Sequence, residues 1–335
     1  MGLRGGFSSL PAVDKTLALH GLELGERSRM TEGIYTREDM GLAAFEPGSV
    51  LYHYTSADGL MGLLNGEAWL TERHFLNDPS EFGVATDVIL EVFDKHIAEN
   101  ERLVRFKNAF LSEVERCEKF GEIGEDIAFS GNYVMSFCME SDSALLWSEY
   151  SGFQGYCLGI ELGPMLDSFG AARPYWHGKV IYDRGMQIGL IEQVIQHEYF
   201  DNAHFPAVNS WDDLDEPSSE DMAFFIACLN VECSIYNMFF KRQCFEGERE
   251  YRVIFSHIHD GGRVAPEERF PVSFRIRDGV LLPFVKMPFD APASIKSITI
   301  GSKNTSDIAA TGLKYFLRSK NMSVDVRKSE IPLRY

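Results

Sequence analysis

The chain has 335 residues, of which 45% are hydrophobic and 13% aromatic, enough for one sizeable core or for a core with a smaller appended unit. Charged residues make up 24%, which excludes a disordered chain, and the formal net charge of −18 makes bare nucleic acid and anionic membrane poor default partners. A nucleic acid that serves as a reaction substrate stays open.

The six cysteines are scattered without a CxxC pair, a pattern typical of reduced thiols in a cytoplasmic protein. The first residues lack the long apolar region of a signal peptide, and the longest apolar runs, such as 223–229, are too short to span a bilayer. His257 and His259 share one face of an extended segment, but the sequence offers no third ligand beside them. We therefore expect a cytoplasmic protein with no membrane contact and no metal site.

Residues 1–46, rich in glycine and charge, form a predicted N-terminal extension. The predicted strands that follow are 50–54, 68–70, 133–139, 155–162, 179–183, 250–256, one near Arg275, 297–301 and 323–329. The predicted helices are 55–64, about 80–119, 187–200, 218–242 and about 305–319. Because helices and strands mix without regular βαβ alternation, the fold class is α+β. The pattern predicts a single domain over 47–335, with helical insertions at about 80–120 and 187–242.

The first strand leads directly into the first helix. Thr55 and Asp58 have the spacing of a capping box at this turn, and leucines at helical spacing follow them. His53 stands just before the turn, where the free backbone N–H groups of a helix start suit a polar ligand or a phosphate. The alternative is that His53 is a packing residue at the end of a strand.

A second polar pattern lies in the segment FEGEREYRVIF. In an extended strand Glu248, Glu250 and Arg252 share one face, which places two carboxylates and a guanidinium together. An edge strand with solvated charges would show the same pattern. A functional site there requires a partner residue from elsewhere in the chain.

The segment LYHYTSADGLMGLLNGEAWLT resembles the opening strand, helix and strand of the ADP-ribosyltransferase superfamily, in its His-Tyr-Glu branch. EREYRVIF resembles the glutamate-bearing strand of the same fold. The chain from about residue 50 to its end also resembles a bacterial family of unknown function, through six blocks in order: LYHYTS, LNDPSEF, SFCMESDSALLWSEYSGFQGYCLGIEL, EREYRVIF, IKSITIGS and SEIPLRY. The resemblance implies an ADP-ribosyltransferase-like split core of mixed or antiparallel strands, with flanking and inserted helices.

The resemblance also implies roles for individual residues. His53 would hold the nicotinamide-side ribose of NAD, and the backbone at Tyr54 would hold the carboxamide, with Thr55 and Ser56 lining the floor. Glu250 would be the catalytic carboxylate, a fixed anion beside the positive charge that develops as nicotinamide leaves. Many transferases of this type have glycine where this chain has Tyr54.

Five further residues complete the implied site. Glu248 would orient or deprotonate the acceptor as a general base. Arg252 and Asn77 would contact NAD. An aromatic residue stacked on nicotinamide is expected, with Trp147 and Tyr150 as candidates; the alternative is that both are core neighbours on a short helix.

The leading functional hypothesis is an NAD-dependent ADP-ribosyltransferase that modifies a macromolecule, either protein or nucleic acid, as a toxin or phage-defence effector. Such an effector would have a partner or antitoxin protein. One alternative is a catalytically degenerate nucleotide-binding or protein-interaction module that acts as a sensor in a defence system. Another is an NAD glycohydrolase or a nuclease.

Overall fold

The computed structural model describes residues 48–78, 83–97, 101, 103–123, 132–169, 175–195, 219–256, 271–277, 279–304 and 307–332. They belong to two compact units. The sheet unit contains the segments Leu42–Asn77, Ser130–Val180 and Cys244–Tyr335, and the helical unit contains Asp78–Phe129 and Ile181–Gln243. His257, His259 and the N-terminal extension 1–46 lie outside the described residues.

The strands of the sheet unit are, in chain order, β1 (Val50–Thr55), β2 (Glu67–Glu72), β3 (Asn132–Cys138), β4 (Tyr156–Glu161), β5 (Tyr175–Lys179), β6 (Glu250–Ser256), β7 (Val272–Arg277), β8 (Val280–Pro288), β9 (Ile295–Ile300) and β10 (Asp325–Lys328). They form one ten-stranded sheet in the order β10-β9-β4-β1-β3-β2-β8-β7, with β6 beside β3 and β5 beside β6. β10 is parallel to β9, and the other described strand pairs are antiparallel. The predicted mixture of helices with a sheet of mixed orientation is confirmed.

The helices are, in chain order, α1 (Ala57–Leu64), α2 (Val84–Ile97), α3 (Leu103–Ile123), α4 (Ala144–Ser151), α5 (Leu162–Phe169), α6 (Arg184–Ile195), α7 (Ser219–Tyr236), α8 (Ala291–Ser294) and α9 (Asp307–Ser319). Short 3-10 turns cover Arg73–Phe75 and Gln243–Glu248. Within the ranges described, no helix is both long enough and apolar enough to cross a bilayer.

The sheet forks at β3. One edge of β3 pairs with β6 along its whole length, from Asn132 to Cys138. The other edge is divided, because Cys138 pairs with Tyr52 of β1 while Val134 and Tyr133 pair with β2. Since an edge can hold one neighbour at a time, β1 and β2 separate between these two points, and the gap opens opposite Met135–Phe137.

One face of the sheet covers the main core. Alternate residues of the strands point to this face. They pack with apolar residues of α1, α5, α8 and α9, including Leu51, Leu63, Met135, Phe137, Leu158, Met165, Val253, Ile298 and Leu313. A smaller cluster on the opposite face contains Tyr54, Cys138, Leu146, Trp147 and Cys157, which places α4 over the end of β3. The fork therefore lies between two apolar clusters.

The predicted capping pair of Thr55 and Asp58 is wrong. Ser56 is the N-cap of α1, and its hydroxyl accepts a hydrogen bond from the Gly59 backbone N–H at 3.3 Å. Thr55 stays in β1, where it pairs with Tyr156 of β4, so the helix begins one residue later than the local pattern suggests. Thr55 and α1 approach so closely that a Cβ at residue 59 would lie 1.9 Å from the Thr55 hydroxyl oxygen.

The predicted strand over 179–183 is also misplaced. β5 ends at Lys179, which pairs with Tyr251 of the antiparallel strand β6. Because β6 begins at Glu250, one residue before Tyr251, the ladder between the two strands ends there. Ile181 forms an isolated bridge with Phe240 instead. Strand β8, which contains Pro283, was not predicted from the sequence. This proline lies just beyond the last β8–β2 pair, at Phe284, a position where a missing N–H is tolerated.

The helical unit contains α2, α3, α6 and α7. The continuous helix predicted over about 80–119 is two helices, because α2 ends at Ile97 and α3 begins at Leu103. Phe110 packs against Phe93 with ring centroids 6.4 Å apart. The segments that the sequence suggested as insertions thus belong to a compact unit of their own.

Candidate functional site

Glu250 and Arg252 form a buried ion pair beside the fork. Only 5% of the Glu250 side chain and 1% of the Arg252 side chain is exposed, and their charged atoms are 2.5 Å apart. Residues directly opposite one another in a sheet project to the same face, so Tyr52, Cys138 and Glu250 form one row across three strands. The pair therefore lies on the face that carries α4.

Glu248 also lies in this region, but the backbone that positions it is not the extended strand that the sequence predicted. It ends a 3-10 turn, and Arg249 then adopts a left-handed backbone with φ of +45° before β6 begins. Glu248 is therefore not the strand neighbour of Glu250 that strict alternation implied. It is nevertheless buried, and its carboxylate accepts a hydrogen bond from the Tyr150 hydroxyl at 3.2 Å.

Tyr150 connects α4 to Glu248 and lies within electrostatic range of Glu250. Burial raises the pKa of its hydroxyl, and the negative charges of Glu250 and Glu248 raise it further. The hydroxyl therefore stays protonated at neutral pH and acts as a donor. Within the part of the chain that the structure describes, its hydrogen bond to Glu248 is the only one that Tyr150 makes.

His53 lies in the gap where β1 leaves β3. Its Nδ1 is 2.7 Å from the Ser136 carbonyl oxygen. Because a carbonyl only accepts hydrogen bonds, Nδ1 carries the proton and Nε2 keeps its lone pair. Burial lowers the pKa of His53 to about 4, against the raising effect of the Ser136 hydrogen bond and with a smaller lowering by Arg275, so the ring is neutral at pH 7.

His53 and Glu250 do not hydrogen-bond to each other. Tyr52 projects to the same face as Glu250, and neighbouring residues of a strand project to opposite faces. His53, the next residue of β1, therefore projects from the backbone toward the face opposite Glu250. Its ring lies 5.8 Å from that of Phe137, and among the described residues its only hydrogen bond is to Ser136. The two residues therefore flank the end of β3 without touching.

The Tyr54 side chain is a core group. Its hydroxyl donates to the Glu140 carbonyl at 3.0 Å and accepts from the Ser143 N–H at 2.8 Å. Its ring meets Trp147 edge to face at 4.8 Å, and burial is the main cause that raises its pKa. Its backbone pairs with Cys157 of β4. Only the edge of β1 that faces the fork is left for a ligand.

Trp147 and Tyr150, the two aromatic candidates, have different environments. Trp147 is fully buried, and its indole N–H donates to an Asp142 carboxylate oxygen at 2.6 Å. The same carboxylate accepts from the Ser329 hydroxyl at 2.7 Å and from the Glu330 N–H at 2.8 Å. Trp147 is thus a core residue, whereas Tyr150 contacts the Glu248 carboxylate.

The other predicted residues lie around the rim. Thr55 is buried against α1, and Ser56 is exposed as its N-cap. Asn77 is exposed and makes no hydrogen bond within the described ranges. Across those same ranges, no group of three or more His, Cys, Asp or Glu residues is arranged to hold a metal ion.

Arg275, on β7, was missed as a site residue. Its guanidinium donates to the Thr71 hydroxyl at 2.7 Å and lies 5.9 Å and 5.6 Å from the ring centroids of Trp69 and Phe284. The sequence did contain a signal, since β7 alternates arginines with apolar residues. The inward residue is the half-buried arginine, while Ile276 beside it is 74% exposed.

The comparisons with known proteins carry no family assignment: no family model, no curated protein and no solved structure matches this chain. The resemblance to ADP-ribosyltransferases rests on the sequence blocks alone.

Proposed function

We propose that this chain is an ADP-ribosyltransferase-like enzyme that uses NAD as a substrate and modifies a macromolecular acceptor. The observation that supports this most is the arrangement around β3: His53 lies in the gap along one edge of this strand, and Tyr150, Glu248 and the Glu250–Arg252 pair lie together on the face that carries α4. Intracellular action as a toxin or phage-defence effector belongs to the same proposal.

The described side chains fit the chemistry of this substrate. The neutral His53 ring offers Nε2 as a hydrogen-bond acceptor, which suits a ribose hydroxyl. Arg252 holds the orientation of the Glu250 carboxylate through the buried ion pair. Of the two aromatic candidates, Tyr150 and not Trp147 contacts one of the two carboxylates, that of Glu248.

The reaction breaks the C–N bond between ribose and nicotinamide, and nicotinamide leaves with the bonding electrons. Positive charge develops at the ribose carbon, where the Glu250 carboxylate stabilises it. At a separation of 4 Å such an attraction amounts to about 4 kcal/mol near a protein surface, and Arg252 reduces it by neutralising part of the charge. A lone pair of the acceptor forms the new bond to the ribose carbon, and Glu248 takes the proton of the acceptor.

The test compares Glu250→Gln with wild type, and uses Glu246→Gln, an exposed glutamate in the preceding 3-10 turn, as the matched control. Full-length protein is incubated with NAD and cell lysate, and both ADP-ribose adducts and free nicotinamide are measured. We expect wild type and Glu246→Gln to form adducts, and Glu250→Gln to lose at least about 100-fold in rate. An unchanged rate in Glu250→Gln would remove it from the mechanism, and failure of wild type to bind NAD in calorimetry would refute the enzyme proposal.

One observation favours the alternative of a nucleotide-binding module without turnover. Both carboxylates are already engaged by protein groups, Glu250 by Arg252 and Glu248 by Tyr150. A module of this kind would bind NAD and release no nicotinamide. Nicotinamide release without adducts would instead indicate an NAD glycohydrolase.

A further inference from the structure

Arg275 is a half-buried cation whose environment differs from that of the other buried arginine. Arg252 is paired with a carboxylate at 2.5 Å. Among the residues that the structure describes, Arg275 makes one hydrogen bond, to the neutral Thr71 hydroxyl, and its buried Nε–H has no hydrogen-bond partner. Within the described part of the chain, no carboxylate lies within ion-pair distance of Arg275.

The electrostatic surroundings of Arg275 are unfavourable for a cation. Burial lowers the pKa of its guanidinium, and the positive charge of Arg277, two residues along β7, lowers it further. A buried charge without a counter-charge is costly, and proteins usually pair such a group or leave it for a charged ligand. The cation–π contacts of Arg275 with Trp69 and Phe284 help to hold its guanidinium in place, and a guanidinium can donate to two oxygens of a phosphate.

Arg275 lies on the side of the sheet that carries the candidate site. The register from β7 through β8, β2 and β3 to β6 places Arg275, Thr71 and Glu250 on one face. Its charge is one of the causes that lower the pKa of His53, after burial, so it lies within electrostatic range of the fork. The Thr71 hydroxyl accepts from Arg275 and therefore keeps its own proton for donation.

We propose that Arg275 and the Thr71 hydroxyl bind a phosphate group of the nucleotide that enters the fork. This inference rests on the proposed function for the identity of the ligand as a nucleotide. It assigns the phosphate end of that ligand to β7 and β2, on the opposite side of the gap from the β1 strand that carries His53.

The experiment measures binding of ADP, and separately of adenosine, to the full-length chain by calorimetry. Arg275→Met is the main variant, because it removes the charge and keeps an unbranched stem beside the two aromatic rings. Replacing an unpaired half-buried cation by an apolar side chain should leave the fold intact, which a thermal melt checks. Arg318→Ala, at an exposed arginine of α9, is the control.

We expect wild type and Arg318→Ala to bind ADP equally, and Arg275→Met to bind it about 10- to 100-fold more weakly, as the loss of charge-assisted hydrogen bonds implies. Adenosine, which lacks phosphate, should bind wild type and Arg275→Met equally. Thr71→Val, which retains Arg275, should weaken ADP binding to a smaller extent. Equal binding of ADP by wild type and Arg275→Met, or no binding by wild type, would overturn the inference.

The result is separable from the test of the proposed function, because ADP contains no nicotinamide bond. A phosphate-dependent loss in Arg275→Met together with no release of nicotinamide from NAD would leave the phosphate site standing and refute the transferase. Turnover that depends on Glu250, with ADP binding unaffected by Arg275→Met, would do the reverse.

Discussion

Replacing His53 by asparagine should reduce the acid sensitivity of the fold. The asparagine amide can donate to the Ser136 carbonyl, as Nδ1 does now, but it does not titrate. In the folded chain the pKa of His53 is lowered from 6.5 to about 4, mainly by burial. Between these two values the unfolded chain binds a proton that the folded chain does not, so the free energy of unfolding falls as the pH drops through this window.

The size of the effect follows from the pKa values. A change from 6.5 to about 4 corresponds to about 3 kcal/mol when the window is crossed completely. Going from pH 7 to pH 5 crosses most of it and removes about 2 kcal/mol from the free energy of unfolding. The lowered pKa of half-buried His177 contributes with the same sign, but it is present in both proteins and cancels in their difference.

The assay is urea unfolding of wild type and His53→Asn at pH 7 and pH 5, followed by tryptophan fluorescence. Trp69 and Trp147 both belong to the sheet unit and report on it. Wild type should lose about 2 kcal/mol more than the variant over this pH change. Equal losses in the two proteins would show that the His53 ring is solvated and would remove the neutral hydrogen-bond acceptor from the proposed site.

Further predictions concern the supports of the site. Gly301→Ala should destabilise the chain by about 1–3 kcal/mol, because the new Cβ would lie 2.3 Å from the Phe153 carbonyl oxygen; Gly312→Ala, in an open position of α9, should stabilise it by up to about 1 kcal/mol. Thermal melts compare the two, and equal shifts would contradict the packing argument. Asp142→Ala should cost about 2–4 kcal/mol in urea unfolding, since the buried Trp147 N–H loses its acceptor; a change below about 0.5 kcal/mol would refute this.

Local patterns predicted many elements because the buried face of a strand or helix carries apolar residues at a regular spacing in the sequence. The strand that carries His53, the strand of Glu250 and the helix 307–319 all follow from apolar periodicity. The patterns gave wrong predictions where pairing with a neighbouring strand determined the secondary structure. Pro283 sits in a strand because the ladder to β2 ends there, and the strand predicted over 179–183 was misplaced because its partner begins at Glu250.

The sequence by itself determined the chemical groups: a histidine before a helix start, and two glutamates with an arginine near the start of one strand. Only the tertiary structure decided where these groups lie relative to one another, because strand pairing joins residues that are far apart in the chain and cannot be read from local periodicity. Sharing the edge of β3 between β1 and β2 opens the gap at His53. Packing of α4 over the end of β3 buries Trp147 and leaves Tyr150 at the carboxylates. Arg275, the inward arginine of β7, is a candidate because of its neighbours in the tertiary structure. Among the described residues these are two aromatic rings and a hydroxyl, with no carboxylate.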